Sequence, residues 1–167
     1  LINLVWNSNG YLWNGGISKY NPDIHARNLE DIVWMAVIAE DEIAGDTTRT
    51  KQLISSITGY PDLFFKAFGS KEITMERISK AIAQFVRTLV SANSKFDHYL
   101  RGEYQLTAEE LRGFVLFTTE EGADCFHCHG GGGNPLFTTN LFYNNGKDDE
   151  FDDLYDRYSI TNNPVDI

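Results

Sequence analysis

The two cysteines of this chain lie three positions apart, in Cys125-Phe126-His127-Cys128-His129, with a histidine directly after the second. A disulfide across so short a span closes almost no loop and stabilises little, so the pair is there for chemistry. C-x-x-C-H is the attachment sequence for c-type haem: the thiols add to the two vinyl groups as thioethers, and the adjacent imidazole ligates the iron. The two-residue spacer makes a tight turn that presents both sulfurs along one edge of the macrocycle and brings His129 under the metal. Such a chain can hold haem with little enclosing protein. Two other readings compete. A structural zinc site needs four ligands, and the sequence offers neither a second Cys pair nor a His-x-x-x-His. A redox dithiol of the thioredoxin kind expects a βαβ context, and the lead-in here reads as helical.

That lead-in is defined by start and stop signals. After clusters of Asn, Gly and Trp that favour turns, Asn28 caps a helix with Glu30 and Asp31 in its first turn and Leu29, Ile32, Val33, Ala36 and Val37 at helical spacing. A second helix is expected over Thr48–Ile57, and a third over Pro61–Phe68, with Gly69 as its stop. The clearest helix follows Thr74, where Met75, Ile78, Ala81, Ile82, Phe85, Val86 and Leu89 form one apolar stripe and Met75 reads as core. A short helix over Lys95–Leu100 and one opening at Thr107, with Glu110 completing a capping box, lead to Gly122. Beyond His129 come four glycines and Asn134-Pro135, and the rest reads as loop, including the acidic stretch from Lys147 to Asp156, which lacks EF-hand spacing. No run is apolar and long enough for a membrane helix. With 42% apolar residues in 167, the chain can bury a core, and a net charge of -10 repels nucleic acid. The same charge steers a cationic protein partner, or serves solubility alone.

Three stretches, in order, resemble the bacterial di-haem cytochrome c peroxidases: Thr88-Leu89-Val90-Ser91 with Ser94-Lys95-Phe96-Asp97-His98-Tyr99-Leu100; Leu111-Arg112-Gly113-Phe114-Val115-Leu116-Phe117; and Cys125 to His129 with Gly130, Pro135, Leu136 and Phe137. Leu1-Ile2-Asn3-Leu4-Val5-Trp6-Asn7 and Tyr11-Leu12-Trp13-Asn14-Gly15-Gly16 extend the likeness to the start. The resemblance implies an all-α fold, built of cytochrome c-like helical domains with long irregular loops. Residues 1–90 are then the remainder of an N-terminal peroxidatic haem domain, and residues 91–167 the incomplete first part of a C-terminal electron-transfer haem domain. Such proteins carry two haem motifs, so the chain is expected to begin after the first and to end before the segment that supplies the second haem's distal ligand.

The function implied is reduction of hydrogen peroxide to water in the periplasm, with electrons from a small cytochrome c or cupredoxin entering at the haem held by Cys125, Cys128 and His129. By the same resemblance Trp13 matches a tryptophan between the haems and Glu42 an acidic residue beside the peroxide site. Asn3 and the carbonyls near Thr161 match an interhaem calcium site, and the intact protein is compatible with a homodimer. Two departures are visible: Trp13-Asn14-Gly15-Gly16 stands where Trp-Asp-Gly-Arg is usual, and Ile32 where a glutamine is common. The alternatives are a plain electron-transfer cytochrome domain, or a di-haem oxidoreductase of the subgroup that modifies protein tryptophans. A scaffold that keeps the fold without haem is a third class. For the sixth iron ligand the sequence offers only Met35, Met75, His25 and His98, none with diagnostic neighbours, which favours a ligand from outside the chain.

Overall fold

The computed structural model describes residues 2–7, 11, 26, 28–40, 42–131, 134, 136–141 and 143. Among them every regular element is helical, and the chain divides into two compact units, Leu1–Leu89 and Val90–Ile167. The first unit holds a 3-10 turn, Leu4–Trp6, followed by α1 (Leu29–Ile38), α2 (Thr47–Ser56), α3 (Tyr60–Phe68) and α4 (Met75–Thr88).

Caps decide where these helices begin. The Asn28 side chain accepts the Asp31 amide at 3.0 Å, and the acidic first turn complements the helix dipole. Asp46 accepts the Arg49 amide at 2.6 Å, so α2 opens at Thr47, one residue before the expected start. Gly59 precedes α3 with φ 97°, and Gly69 ends it with φ 73° while its amide donates to the Phe65 carbonyl at 2.8 Å. Thr74 caps α4 through the Arg77 amide.

Val37, Phe64, Ile73, Met75 and Ile78 make the buried core of this unit, with Trp34, Ile54 and Phe68 packed against it. Met75 is thus a core residue. The stripe on α4 is corrected by the structure: Met75, Ile78, Ser79 and Ala83 are buried, whereas Ala81, Ile82 and Phe85 are exposed, Phe85 at 63%. α1 packs against α4, and the buried face of α4 includes the small residues Ser79 and Ala83, side chains that permit close helix approach. At the end of that face the Arg87 guanidinium donates to both carboxylate oxygens of Glu30 on α1, at 2.7 and 2.9 Å.

The second unit contains α5 (Lys95–Leu100), α6 (Ala108–Thr118) and a single turn, α7 (Phe126–His129). The expected capping box at Thr107 and Glu110 is present, and a second joins Ser94 to Asp97. Lys95 reaches Glu110 at 3.1 Å, and Phe96 and Tyr99 pack on Phe114, with ring centroids 5.3 and 6.0 Å apart. After α6 the chain doubles back: the Ala123 amide donates to the Leu116 carbonyl at 2.8 Å. This return requires glycine at 122, where a Cβ would lie 2.4 Å from the Leu116 oxygen and 2.7 Å from its Cα.

Two outcomes are expected. Arg87 holds the Glu30 carboxyl below its ordinary range through their hydrogen bonds, so the pair's stabilisation is present above the unfolded value of about 4.3 and is lost as pH falls through the lowered folded value. Arg87→Met should cost roughly 1 kcal/mol at neutral pH and flatten this acid limb, as read by denaturant unfolding at several pH values. Gly122→Ala should destabilise the second unit by about 1–3 kcal/mol through backbone overpacking, with faster amide exchange across α6 and α7 and little change in α1 to α4.

Candidate functional site

The segment joining α6 to α7 aims the chain at the motif. Asp124 adopts φ 55°, a left-handed conformation that aspartate tolerates, and Cys125 follows in a helical conformation as the N-cap of α7. The His129 amide then donates to the Cys125 carbonyl at 3.0 Å and closes one helical turn. Within such a turn, positions i, i+3 and i+4 share a face. Cys125, Cys128 and His129 occupy those positions, so two thiols and an imidazole are presented together. Both cysteines are free, Cys125 half-buried and Cys128 exposed.

His127 occupies the other face of the turn. Its Nδ1 lies 2.6 Å from an Asp124 carboxylate oxygen, its ring stacks on Phe126 at 4.2 Å, and its side chain is exposed. His127 and Asp124 therefore brace the turn from outside.

The imidazole of His129 is held from the opposite direction by residues that follow it. Its Nδ1 is 3.2 Å from the Phe137 carbonyl oxygen. A carbonyl can only accept, so Nδ1 carries the proton and the Nε2 lone pair is left for a metal. The Thr139 hydroxyl donates to the Cys128 carbonyl at 3.1 Å and can accept from the Tyr143 hydroxyl at 3.0 Å, which ties the following loop to the end of α7. Gly130 leaves the helix with φ 76° and ψ 151°, a conformation essentially confined to glycine.

An aromatic cluster surrounds this face. Phe137 packs against Phe96 at 5.5 Å and Phe117 at 5.7 Å, and Phe117 also lies 6.3 Å from the His129 ring. No described residue of the second unit is buried, and Leu100, Leu111, Val115, Leu116, Phe137 and Leu141 are all exposed. An imidazole with a free Nε2, two neighbouring thiols and the Phe117 and Phe137 rings beside them suit a flat, apolar macrocycle bound covalently at one edge. The residues present fit haem. Among the described residues, no three His, Cys, Asp or Glu side chains gather into a cage for a bare metal ion.

Sequence also singled out residues outside this segment. Glu42 is exposed, in a turn after α1 where its amide donates to the Ala39 carbonyl at 3.2 Å. Asn3 has φ 62° just before the 3-10 turn, and its amide donates to the Leu89 carbonyl at 2.9 Å. Trp13, Thr161 and His25 fall outside the described residues. His98 is paired through Nδ1 with Glu103 at 2.8 Å. Sequence reasoning did not assign Asn134, the Phe137 carbonyl or Thr139 a part in the site, although Phe137 stood among the residues carrying the resemblance. Backbone acceptors leave no trace in side-chain identity.

Comparison with known proteins identifies the family. The sequence pattern described as di-haem cytochrome c peroxidase matches residues 1–105. Over 110 residues, 65% of this chain and 32% of the relative, the chain is 37% identical to a cytochrome c551 peroxidase of Nitrosomonas europaea. Over 130 residues, 77% of this chain and 36% of the relative, it is 32% identical to methylamine utilization protein MauG of Methylophilus methylotrophus. Among solved structures, a MauG-like protein associated with microbial copper homeostasis superposes with a TM-score of 0.58 at 31% identity, covering 70% of this chain and 35% of that one. The chain thus spans about a third of the length of these relatives. With an all-helical fold, a matching pattern over more than half its length and these relatives, the chain belongs to the di-haem cytochrome c peroxidase family.

Proposed function

We propose that Cys125 and Cys128 hold one haem c as thioethers, that His129 ligates its iron through Nε2, and that this haem is the electron-accepting centre of a di-haem peroxidase acting on hydrogen peroxide. The observation that carries the reading is the single turn that puts both thiols and the imidazole on one face while the Phe137 carbonyl holds the other ring nitrogen. When bound, haem supplies a one-electron carrier whose potential follows its axial ligands and surroundings. The chain's own residues would attach it by both sulfurs and orient the imidazole, and the Phe96, Phe117 and Phe137 rings would offer it apolar surface. The intact protein is read as carrying a second haem, working in the periplasm, and receiving electrons from a small cytochrome c or cupredoxin. The net charge of -10 suits a donor with a cationic face.

For Glu42 we propose proton transfer at the peroxide site. An exposed carboxylate exchanges protons with solvent, and O–O cleavage consumes them. A second reading, an oxidoreductase acting on a protein substrate, draws on the similarity to MauG as well as to the peroxidases.

Two measurements test these statements. Expressed with cytochrome c maturation machinery, the full-length protein should show haem bonded to the peptide containing Cys125 and Cys128 by mass spectrometry. Cys125→Ala with Cys128→Ala should lose that haem, and a wild-type protein without it rejects the assignment. Glu42→Gln should lower kcat/KM for peroxide by ~100-fold or more with haem content unchanged, whereas near-normal turnover removes Glu42 from proton transfer.

A further inference from the structure

The His129 imidazole meets a carbonyl whose own residue is strained. Phe137 has φ 53°, a left-handed conformation that costs a bulky residue roughly 1–2 kcal/mol, and it is the Phe137 carbonyl that meets the imidazole. Something must hold that conformation. The Asn134 carboxamide bonds to the residues on both sides of Phe137: its Oδ1 accepts the Leu136 amide at 3.1 Å, and its Nδ2 donates to the Thr138 carbonyl at 2.6 Å. The Asn134 backbone adds two more bonds, donating to the Gly131 carbonyl at 2.8 Å and accepting the Phe137 amide at 3.2 Å. One side chain thus brackets the strained residue. Gly130 leaves room for it: a Cβ there would come within 2.6 Å of Asn134 Nδ2.

Resting on the haem attachment proposed above, we propose that Asn134 is a positioning residue for His129, acting through the Phe137 carbonyl to set the orientation and donor strength of the imidazole and so the reduction potential of the attached haem. A hydrogen bond from Nδ1 to an acceptor raises the electron donation of Nε2, which favours the ferric state. Without the Asn134 bracket, Phe137 relaxes toward negative φ and its carbonyl turns away. The imidazole then keeps its iron bond but donates less, and the ferrous state gains.

The test uses the full-length haem-loaded protein with Asn134→Ala and Asn134→Ser. Serine is uncharged and keeps an acceptor for the Leu136 amide, but it is too short to reach the Thr138 carbonyl. Redox titration should show one haem potential rising in both variants, more in the alanine variant. The expected change in ferric-to-ferrous ratio is several-fold and up to about tenfold, the latter about 59 mV for one electron. Solvent exchange of the His129 Nδ1 proton, followed by NMR, should accelerate in parallel. A role confined to stability would lower the unfolding midpoint and leave both readouts of the folded protein in place. Variants that carry haem with wild-type potentials and exchange overturn the proposal. So do variants that both fail to take up haem, because Asn134 would then serve folding and not tuning. A wild-type protein without haem rejects the attachment itself, and is distinguished by haem content alone.

Discussion

One helical turn governs the second unit. In the proposed haem site two thiols and an imidazole would meet a single flat group at once, and a turn with positions i, i+3 and i+4 on one face brings them together with almost no chain. The rest of the local structure serves that turn. Gly122 lets the chain return across Leu116, Asp124 enters the left-handed region ahead of Cys125, and Gly130 lets the chain leave. The His127–Asp124 pair braces the outer side, while the Phe137 carbonyl and the Thr139 hydroxyl bond to His129 and to the Cys128 carbonyl at the end of α7.

The two units are stabilised by different means. In the first, five buried side chains and the Glu30–Arg87 pair join α1, α3 and α4 around a core of the ordinary kind. In the second, aromatic rings meet at 5–6 Å, yet no described side chain is buried, so much of its apolar surface stays in water. Apolar burial yields about 25 cal/mol per Å², so a bound macrocycle covering those rings would supply stabilisation that the polypeptide lacks by itself.

Helices were the most legible part of the fold, and the reason is their local wiring. Asn28, Thr74 and Thr107 each satisfy an amide three residues on, a bond that depends on little beyond the sequence between them. The Ser94–Asp97 box is less legible in sequence because aspartate stands where glutamate or glutamine is usual. The apolar stripe on α4 is broader in sequence than the face that the fold buries. Periodicity reports which residues are apolar, and the partner helix decides which of them are covered. Small Ser79 and Ala83 are buried while Ile82 and Phe85 stay exposed, in keeping with small side chains where helices approach closely.

At the site the same division holds. Residue types and spacing determined the two thiols, the adjacent imidazole and their common face, since five consecutive residues contain the whole arrangement. The tertiary structure decided what holds the imidazole: the Phe137 carbonyl lies eight residues from His129, on a loop bent by Asn134 and strained at Phe137. It likewise decided the pairing of Glu30 with Arg87, 57 residues apart. Short-range bonds follow from backbone geometry that the local residues dictate. Bonds between distant residues exist only once packing has brought them together, and a backbone carbonyl offers the sequence no side chain by which to be recognised.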